Sequence, residues 1–239
     1  MKKLVIIPAY NEQDSIEQTV KNIEEYAPGF DYIVVNDGST DNTLAVCRRA
    51  GIPCLKLPVN LGIGGTVQAG YLYGVRHGYD LAVQIDGDGQ HDAAFLDMMA
   101  QALMDHQVDM VIGSRFITKE GFQSSSLRRV GIRFFSILIR LLTGHTITDP
   151  TSGMRMVNRK VMKVYAKDYP KDYPEPESAV QILSRGYKIM EVPVIMNERM
   201  GGVSSINLRN SVYYMIKVSL AILVAGVHTP RKRKRGKKA

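Results

Sequence analysis

Short apolar runs alternate with segments of helical periodicity along the N-terminal half of the chain. The runs LVIIP, YIVVN, CLKL, LAVQI and MVIGS are rich in branched aliphatic residues, which is typical of strands buried on both faces. Helices are predicted between them, at Ser15–Tyr26, at about Asp41–Ala50, near Gly65–His77 and near Ala93–His106. This βαβ pattern predicts a parallel sheet with helices on both faces.

The alternation breaks after Ser114. A Ser-rich linker leads to an amphipathic, arginine-bearing stretch at Leu127–Leu142, the loop TDPTSGMR, a predicted helix at Glu177–Arg185 and a last strand, IMEVPVIM. The loop RMGGVSS then precedes an apolar segment, Asn207–Val227, whose last seventeen residues carry only the charge of Lys217. A membrane span needs about 20 apolar residues, so a helix lying in the membrane interface or docked on a partner is the better prediction.

The basic charge of the chain is local. The 239 residues, 45% of them hydrophobic, suffice for one globular domain, and seven of the net eight positive charges lie in the tail Arg231–Lys238. Such a cluster after an apolar segment indicates attraction to anionic lipid headgroups, or else a disordered solubilising tail. Nucleic-acid binding is not predicted, because the cluster contains no aromatic residue.

Cysteine usage indicates a cellular compartment. Cys47 and Cys54 lack metal-ligand spacing, and no apolar signal peptide precedes the first strand. We therefore expect a reducing, cytoplasmic environment.

The strongest chemical signal is QIDGDGQH, where two carboxylates separated by one glycine follow a hydrophobic strand. Mg²⁺ and Mn²⁺ prefer oxygen ligands, so Asp86 and Asp88, with Gln90 as a further donor, are predicted to bind one of these ions. The alternative is an Asp-Gly turn with no ligand.

Two further motifs follow the first two strands. IIPAYNE contains Pro8, which fixes the backbone, and Tyr10 and Glu12, which offer a stacking ring and an acceptor to a nucleotide base. VVNDGSTDNT places Asp37 at a strand terminus, followed by three polar residues that can cap the next helix. Capping explains those three residues but leaves Asp37 unexplained.

A glycine-rich segment, NLGIGGTVQAG, precedes the third predicted helix and includes Gly64. Its glycines permit a backbone close to phosphate or sugar, and a helix N-terminus attracts anions. The segment lacks both the P-loop lysine spacing and a GxGxxG fingerprint.

These four motifs, in this order, resemble glycosyltransferase family 2, and within it the dolichol-phosphate mannose synthase and polyprenyl-phosphate glycosyltransferase group. The resemblance extends to GSR at Gly113–Arg115, DPTSGMR at Asp149–Arg155 and EVPVIMNERMGGVSS at Glu191–Ser205. It implies an α/β fold of the GT-A type, with a mostly parallel central sheet flanked by helices. It also implies a donor half at about 1–115, an acceptor half at about 116–205, an apolar interfacial helix at 206–228 and a basic disordered tail at 229–239.

The resemblance also implies residue roles. A UDP- or GDP-sugar is expected to contact Pro8, Tyr10, Glu12, Asp37, Gly64 and Asp86. Mg²⁺ or Mn²⁺ is expected on Asp86, Asp88 and Gln90. The residues expected to act in catalysis are Asp88, Arg115 and Glu175.

In such enzymes an acceptor oxygen attacks the anomeric carbon opposite the leaving diphosphate, and the configuration inverts. A polyprenyl phosphate such as undecaprenyl or dolichyl phosphate is already ionised, so it needs positive groups rather than a base. We expect the acceptor to contact Arg129, Ser152, Arg155 and Arg199, with Arg115 also a candidate because a guanidinium matches phosphate bidentately. For each arginine, a surface salt bridge is the alternative.

A sugar hydroxyl on a lipid-linked or cell-surface saccharide is the alternative acceptor. It would need a general base, and YPEPES offers Glu175 or Glu177, although either carboxylate could instead cap a helix. A nucleotidyltransferase is disfavoured because IIPAYNE lacks the basic glycine-rich loop that binds triphosphate. A non-catalytic binding subunit is disfavoured because the metal carboxylates and arginines are present, and the absence of tryptophan disfavours processive synthesis.

Membrane contact follows from the same features. Leu127–Leu142 places arginines among Phe134, Phe135 and Ile137, which suits a helix lying against headgroups, although an ordinary core helix would have a similar pattern. We expect a peripheral protein on the inner face of the cell membrane. Its terminal helix and tail would dock on the bilayer or on a small membrane protein.

Overall fold

The computed structural model describes residues 1–121, 126–197 and 208–228. Its strands are β1 (Lys3–Ala9), β2 (Asp31–Asn36), β3 (Cys54–Lys56), β4 (Leu81–Gln84), β5 (Met110–Ser114), β6 (Arg155–Asn158) and β7 (Ile189–Pro193). Its helices are α1 (Ile16–Tyr26), α2 (Thr43–Arg49), α3 (Gly62–Arg76), α4 (Leu96–Asp105), α5 (Ser126–Thr143), α6 (Arg159–Tyr165), α7 (Pro174–Ser184) and α8 (Leu208–His228). A 3₁₀ turn, Ala93–Phe95, precedes α4.

The strands form one sheet in the order β3-β2-β1-β4-β6-β5-β7. Neighbouring strands are parallel except at β6, which is antiparallel to both β4 and β5. The predicted mostly parallel sheet flanked by helices is confirmed. The prediction missed β6 and α6, because RMVN is too short to show periodicity and follows a loop-like sequence directly.

Side chains alternate across the sheet into two helical layers. On β1, Val5 and Ile7 face the apolar residues of α1, α2 and α4. Leu4 and Ile6 face the opposite layer, which is formed by α3 and α5 to α8. Burial on both faces explains why the central strands have continuous apolar runs rather than alternating ones.

Several boundaries differ from the predicted ones. Helix α3 begins at Gly62, and α7 begins at Pro174, where the missing N–H of proline costs nothing in the first turn. The earlier start places Glu175 inside α7. Strand β7 ends at Pro193, and Met196 instead forms an isolated bridge with His91. The loop RMGGVSS lies outside the described residues.

A salt bridge from Lys217 attaches α8 to the rest of the domain. Lys217 Nζ lies 2.8 Å from Asp172 Oδ2 and 5.4 Å from the centre of the Tyr173 ring. Both partners belong to the segment just before α7. None of the helices in the described ranges is both long and apolar enough to cross a membrane.

Candidate active site

A pocket of about 440 Å³ opens at the carboxyl ends of β1, β2 and β4. The sheet order runs outward from β1 to β2 on one side and from β1 to β4 on the other, so the pocket lies at a topological switch point. Its lining includes Pro8, Tyr10, Glu12, Asp37, Gly62, Ile63, Thr66, Asp86, Asp88 and Glu175. The sequence motifs that follow three separate strands therefore meet in one cavity.

The loops after β1 and β2 hold each other in place. Asn11 Oδ1 accepts from Thr40 N at 2.9 Å, and Asn11 N donates to Ser39 Oγ at 3.0 Å. Asn11 adopts a φ of 59°, a left-handed conformation that asparagine tolerates. Asp41 Oδ2 accepts from Gln13 N at 3.1 Å, while its Oδ1 accepts from Thr43 N at 2.9 Å, at the start of α2. The residues predicted as caps thus serve mainly to hold the Tyr10 and Glu12 loop.

Asp37 connects the end of β2 to the glycine-rich segment. Its side chain is buried, and its Oδ1 accepts from Leu61 N at 2.7 Å, one residue before α3. Gly38 makes the intervening turn with a φ of 69°. This contact explains the carboxylate that capping left unexplained.

Close packing explains why residue 64 is a glycine. A Cβ there would lie 2.1 Å from Pro170 O, and Gly64 N donates to Lys171 O at 3.1 Å. The glycine lets α3 approach the segment that precedes α7. The neighbouring Gly62 and Thr66 line the pocket, whereas Gly64 does not.

The two aspartates of QIDGDGQH both line the pocket. Asp86 follows β4 with its side chain 35% exposed, and its Oδ1 accepts from Gln84 Nε2 at 3.0 Å. Asp88 is buried, and its Oδ1 accepts from Gln90 N at 3.0 Å. The backbone of Gln90 therefore orients Asp88, but Gln90 is not among the residues lining the pocket.

His91 supports the aspartate loop, a role the sequence motif did not reveal. Its Nδ1 accepts from Asp86 N at 3.0 Å. The same nitrogen lies 3.8 Å from Asp86 Oδ2. The segment after β7 also contacts the aspartate loop, because Asn197 N donates to Gln90 O at 2.9 Å.

The chemistry of the loop fits a hard divalent cation. Within the described ranges no three His, Cys, Asp or Glu side chains cluster to hold a metal alone. Two carboxylates suffice for Mg²⁺ or Mn²⁺, which commonly take one or two protein carboxylates together with substrate phosphates. Gln84 Oε1, beside Asp86, is a buried acceptor that has no hydrogen-bond partner among the described residues, so the oxygen-rich environment extends behind the carboxylates.

Glu175 reaches the same pocket from the first turn of α7. Burial raises the pKa of its carboxyl group, and the positive charge of Arg155 opposes that rise. A raised pKa suits a group that exchanges protons near neutral pH. Glu177, two residues further along the helix, is not among the lining residues.

Arg115 and Arg155, which were predicted to contact the acceptor phosphate, are both buried. Arg115 is buried and binds Asp149 with two hydrogen bonds, Nε to Oδ2 at 2.6 Å and Nη2 to Oδ1 at 2.7 Å. Arg155 has no exposed surface, and it donates to the carbonyl oxygens of Pro150, Ser152 and Glu175 and to Ser178 Oγ. Neither arginine lines the pocket. Their predicted contacts with the acceptor stay predictions.

The remaining residues predicted to contact the acceptor lie elsewhere. Ser152 is buried, with its Oγ accepting from Met154 N at 3.3 Å. Arg129 lies on α5, partly exposed and outside the pocket lining. Arg199 lies outside the described residues.

Glu191 in β7 is a positioning residue. Its motif was recognised in the sequence, but no role was predicted for this residue. Its carboxylate accepts from Thr148 N at 2.7 Å, Thr148 Oγ1 at 2.9 Å and Asp149 N at 2.8 Å. Burial raises its pKa, while these hydrogen bonds lower it. Its sequence signal was a single carboxylate in an otherwise apolar strand.

Comparison with known proteins agrees with this architecture. The family model described as glycosyl transferase family 2 matches residues 4–165. An undecaprenyl-phosphate mannosyltransferase of Micrococcus luteus is 31% identical over 87% of this chain and 88% of its own length. A polyprenol monophosphomannose synthase of Mycolicibacterium smegmatis is 29% identical over 91% of this chain and 86% of its own.

Solved structures match the fold. Glucosyl-3-phosphoglycerate synthase of Mycobacterium tuberculosis, in complex with Mn²⁺, UDP and product, has a TM-score of 0.69 at 20% identity, over 97% of this chain and 81% of that one. At this identity the likeness shows the fold alone. The family match covers more than half of the chain, so the predicted family is confirmed. The protein therefore belongs to glycosyl transferase family 2 and is a glycosyltransferase.

Proposed function

We propose that this protein transfers a hexose from a UDP- or GDP-sugar to a polyprenyl phosphate at the membrane surface, with inversion and with Mg²⁺ or Mn²⁺. The observation that carries the proposal is the pocket at the switch point, where Asp86 and Asp88 meet the loops after β1 and β2. The relatives named above act on polyprenol and undecaprenyl phosphates, which supports the acceptor class. Transfer of labelled sugar to undecaprenyl phosphate is the direct test.

The charge of the pocket supports a metal requirement. Among its described lining residues, none carries a positive charge. Five carry carboxylates: Glu12, Asp37, Asp86, Asp88 and Glu175. A nucleoside diphosphate is itself anionic, so these walls would repel it without a cation. When bound, Mg²⁺ or Mn²⁺ would neutralise the charge that develops on the departing diphosphate.

Each part of the chain then has a defined task. Tyr10, half exposed at the pocket rim, presents a ring for stacking with the base. Asp37 fixes the start of α3, so that Gly62 and Thr66 form the wall beside it. Asp86 and Asp88 would hold the metal. Glu175 lines the same pocket, and we place it on the acceptor side.

Glu175 distinguishes the two acceptor classes. A lipid phosphate needs no general base, so Glu175→Gln is expected to lower transfer to undecaprenyl phosphate by less than about tenfold. General-base catalysis is worth about 10²- to 10⁴-fold, so a loss of that size in kcat for this transfer would contradict a reaction that needs no base. Steady-state kinetics at saturating metal make the measurement. Glu177→Gln, which alters the same helix outside the pocket, is the matched control.

A large exposed apolar face supports membrane contact. We define this apolar face by Val130, Phe134, Ile137 and Leu141 on α5 and by Ile216, Leu220, Leu223 and Val224 on α8, all at least 40% exposed. The two helices run side by side in parallel, because Gly131 lies against Met215 and Gly226 lies against Leu142. A contiguous exposed patch of this kind marks an interaction site.

We propose that a membrane covers this face, and the charge around the face supports that proposal. Arg133 and Arg140 are exposed on α5 beside it, and seven basic residues follow α8 in the sequence. Basic residues near an anionic bilayer each contribute about 1 kcal/mol. Apolar insertion and headgroup attraction would thus act at the same surface.

The double variant Ile137→Glu/Leu141→Glu is expected to weaken binding to vesicles containing phosphatidylglycerol by at least about tenfold. Each buried apolar side chain is worth about 1.5–3 kcal/mol, and the added carboxylates are repelled by the lipid. Vesicle co-sedimentation measures the bound fraction. Met104→Glu, on α4 in the opposite layer, should bind as the wild type does. Wild-type protein that dimerises through this face without binding vesicles would contradict the assignment.

A further inference from the structure

We infer that the loop 149–153 sets the position of the Asp86 carboxylate, with Gly153 as the contact and with Arg115 and Arg155 as the two residues that hold the loop in place. The inference rests on the proposed function, because it assigns these residues to the metal-binding side of that site. It assigns the two arginines a task other than binding the acceptor.

The two arginines donate hydrogen bonds to alternate residues of the loop. Arg115 binds the side chains of Asp149 and Thr151, the latter from Nη2 at 3.1 Å. Arg155 binds the backbone carbonyls of the residues between, Pro150 O at 2.6 Å and Ser152 O at 2.7 Å. Each residue from 149 to 152 thus accepts a hydrogen bond from the guanidinium group of either Arg115 or Arg155, and both groups are buried. Such contacts leave the loop little freedom to move relative to the sheet.

The end of this loop lies against Asp86. In the antiparallel pairing of β4 with β6, Gln84 faces Arg155, and the same register continues to place Asp86 opposite Gly153. A Cβ on Gly153 would lie 2.9 Å from Asp86 Oδ2, 3.2 Å from Oδ1 and 3.2 Å from Gln84 Nε2. The Asp86 carboxylate therefore occupies the space that a side chain at position 153 would need.

The backbone does not require glycine at this position. Gly153 has no left-handed φ, so alanine can adopt its conformation without strain. The obstacle to alanine is the Asp86 carboxylate and the Gln84 amide that orients it. A methyl group here would move a proposed metal ligand while leaving the backbone acceptable.

The test is Mn²⁺ binding to Gly153→Ala, measured by electron paramagnetic resonance of free Mn²⁺ in saturating UDP and, separately, GDP. Residues that orient metal ligands typically affect metal affinity by 10- to 100-fold, so we expect Mn²⁺ to bind at least about tenfold more weakly than to wild type. Gly74→Ala is the matched control. Its Cβ would lie 2.8 Å from Met162 Sδ, on the far part of α3 and away from the pocket, so its Mn²⁺ affinity should equal that of wild type.

Arg155→Lys tests the other half of the inference and decides alone if Gly153→Ala does not fold. Lysine retains the charge but cannot span Pro150, Ser152 and Glu175 together, so weaker Mn²⁺ binding is again expected. Wild-type Mn²⁺ affinity in folded Gly153→Ala or Arg155→Lys would overturn the inference and leave the proposed function intact. Wild-type protein that binds no Mn²⁺ with either nucleotide would overturn the metal site itself, and this inference with it.

Discussion

Asp88→Asn is expected to lower kcat/KM for sugar transfer by about 10²- to 10³-fold, the loss typical of removing one group that stabilises charge in the transition state. The substitution retains an oxygen that can accept from Gln90 N, so the turn after β4 should persist. What disappears is the negative charge on the pocket wall. We therefore expect the variant to fold normally and to bind Mn²⁺ weakly.

Two measurements separate this effect from a folding defect. Thermal unfolding should be close to that of the wild type, while the Mn²⁺ concentration that gives half-maximal activity should rise. Asp92→Asn provides the control, because Asp92 accepts from Ala94 N in the same loop but does not line the pocket. An Asp88→Asn enzyme with near wild-type kcat/KM would refute a metal role for this carboxylate.

Asp149→Asn is expected to reduce the free energy of unfolding by about 3–5 kcal/mol, the cost of breaking a buried ion pair from one side. Asp149 has no exposed surface, and it is bound at once by the Arg115 guanidinium group and, through its backbone N–H, by Glu191. Removing its charge leaves the Arg115 guanidinium group without a bidentate carboxylate in the protein interior.

Urea unfolding of Asp149→Asn measures that cost. The comparison is Asp97→Asn, which breaks the ion pair with Lys3, where the Asp97 side chain is 66% exposed. Exposed pairs are worth at most about 1 kcal/mol, so this variant should unfold almost as the wild type does. Equal stabilities for the two variants would show that the Arg115–Asp149 pair is not a structural anchor.

The part of the fold predicted from the sequence is the part with local signals. The central strands are apolar on both faces, and Asp, Gly and Pro mark where they end, so the motifs at Pro8, Asp37 and Asp86 could be expected at one edge of the sheet. The structure brings these residues into one pocket. Their assigned roles toward nucleotide and metal stay predictions.

The part that sequence reasoning missed depends on distant pairing. Strand β6 is antiparallel and only four residues long, so its sequence shows no periodicity that would predict a strand. It nevertheless pairs Arg155 with Gln84, which is some seventy residues earlier in the chain. Guanidinium chemistry suggested a phosphate ligand at Arg155, and that role stays a prediction; the burial of this side chain could not be read from the sequence. Glu191 and Gly153 were likewise hidden, because their contacts, Asp149 and Asp86, come from other segments.

A transfer assay with labelled UDP- and GDP-sugars, Mn²⁺ or Mg²⁺, and undecaprenyl phosphate, alongside the Asp88→Asn variant, tests the proposed reaction itself. We predict that label from one donor enters the lipid phase only when a divalent metal is present, and that the variant loses this product. Metal-dependent donor hydrolysis with no lipid product would contradict the lipid-phosphate acceptor and favour a saccharide hydroxyl activated by Glu175.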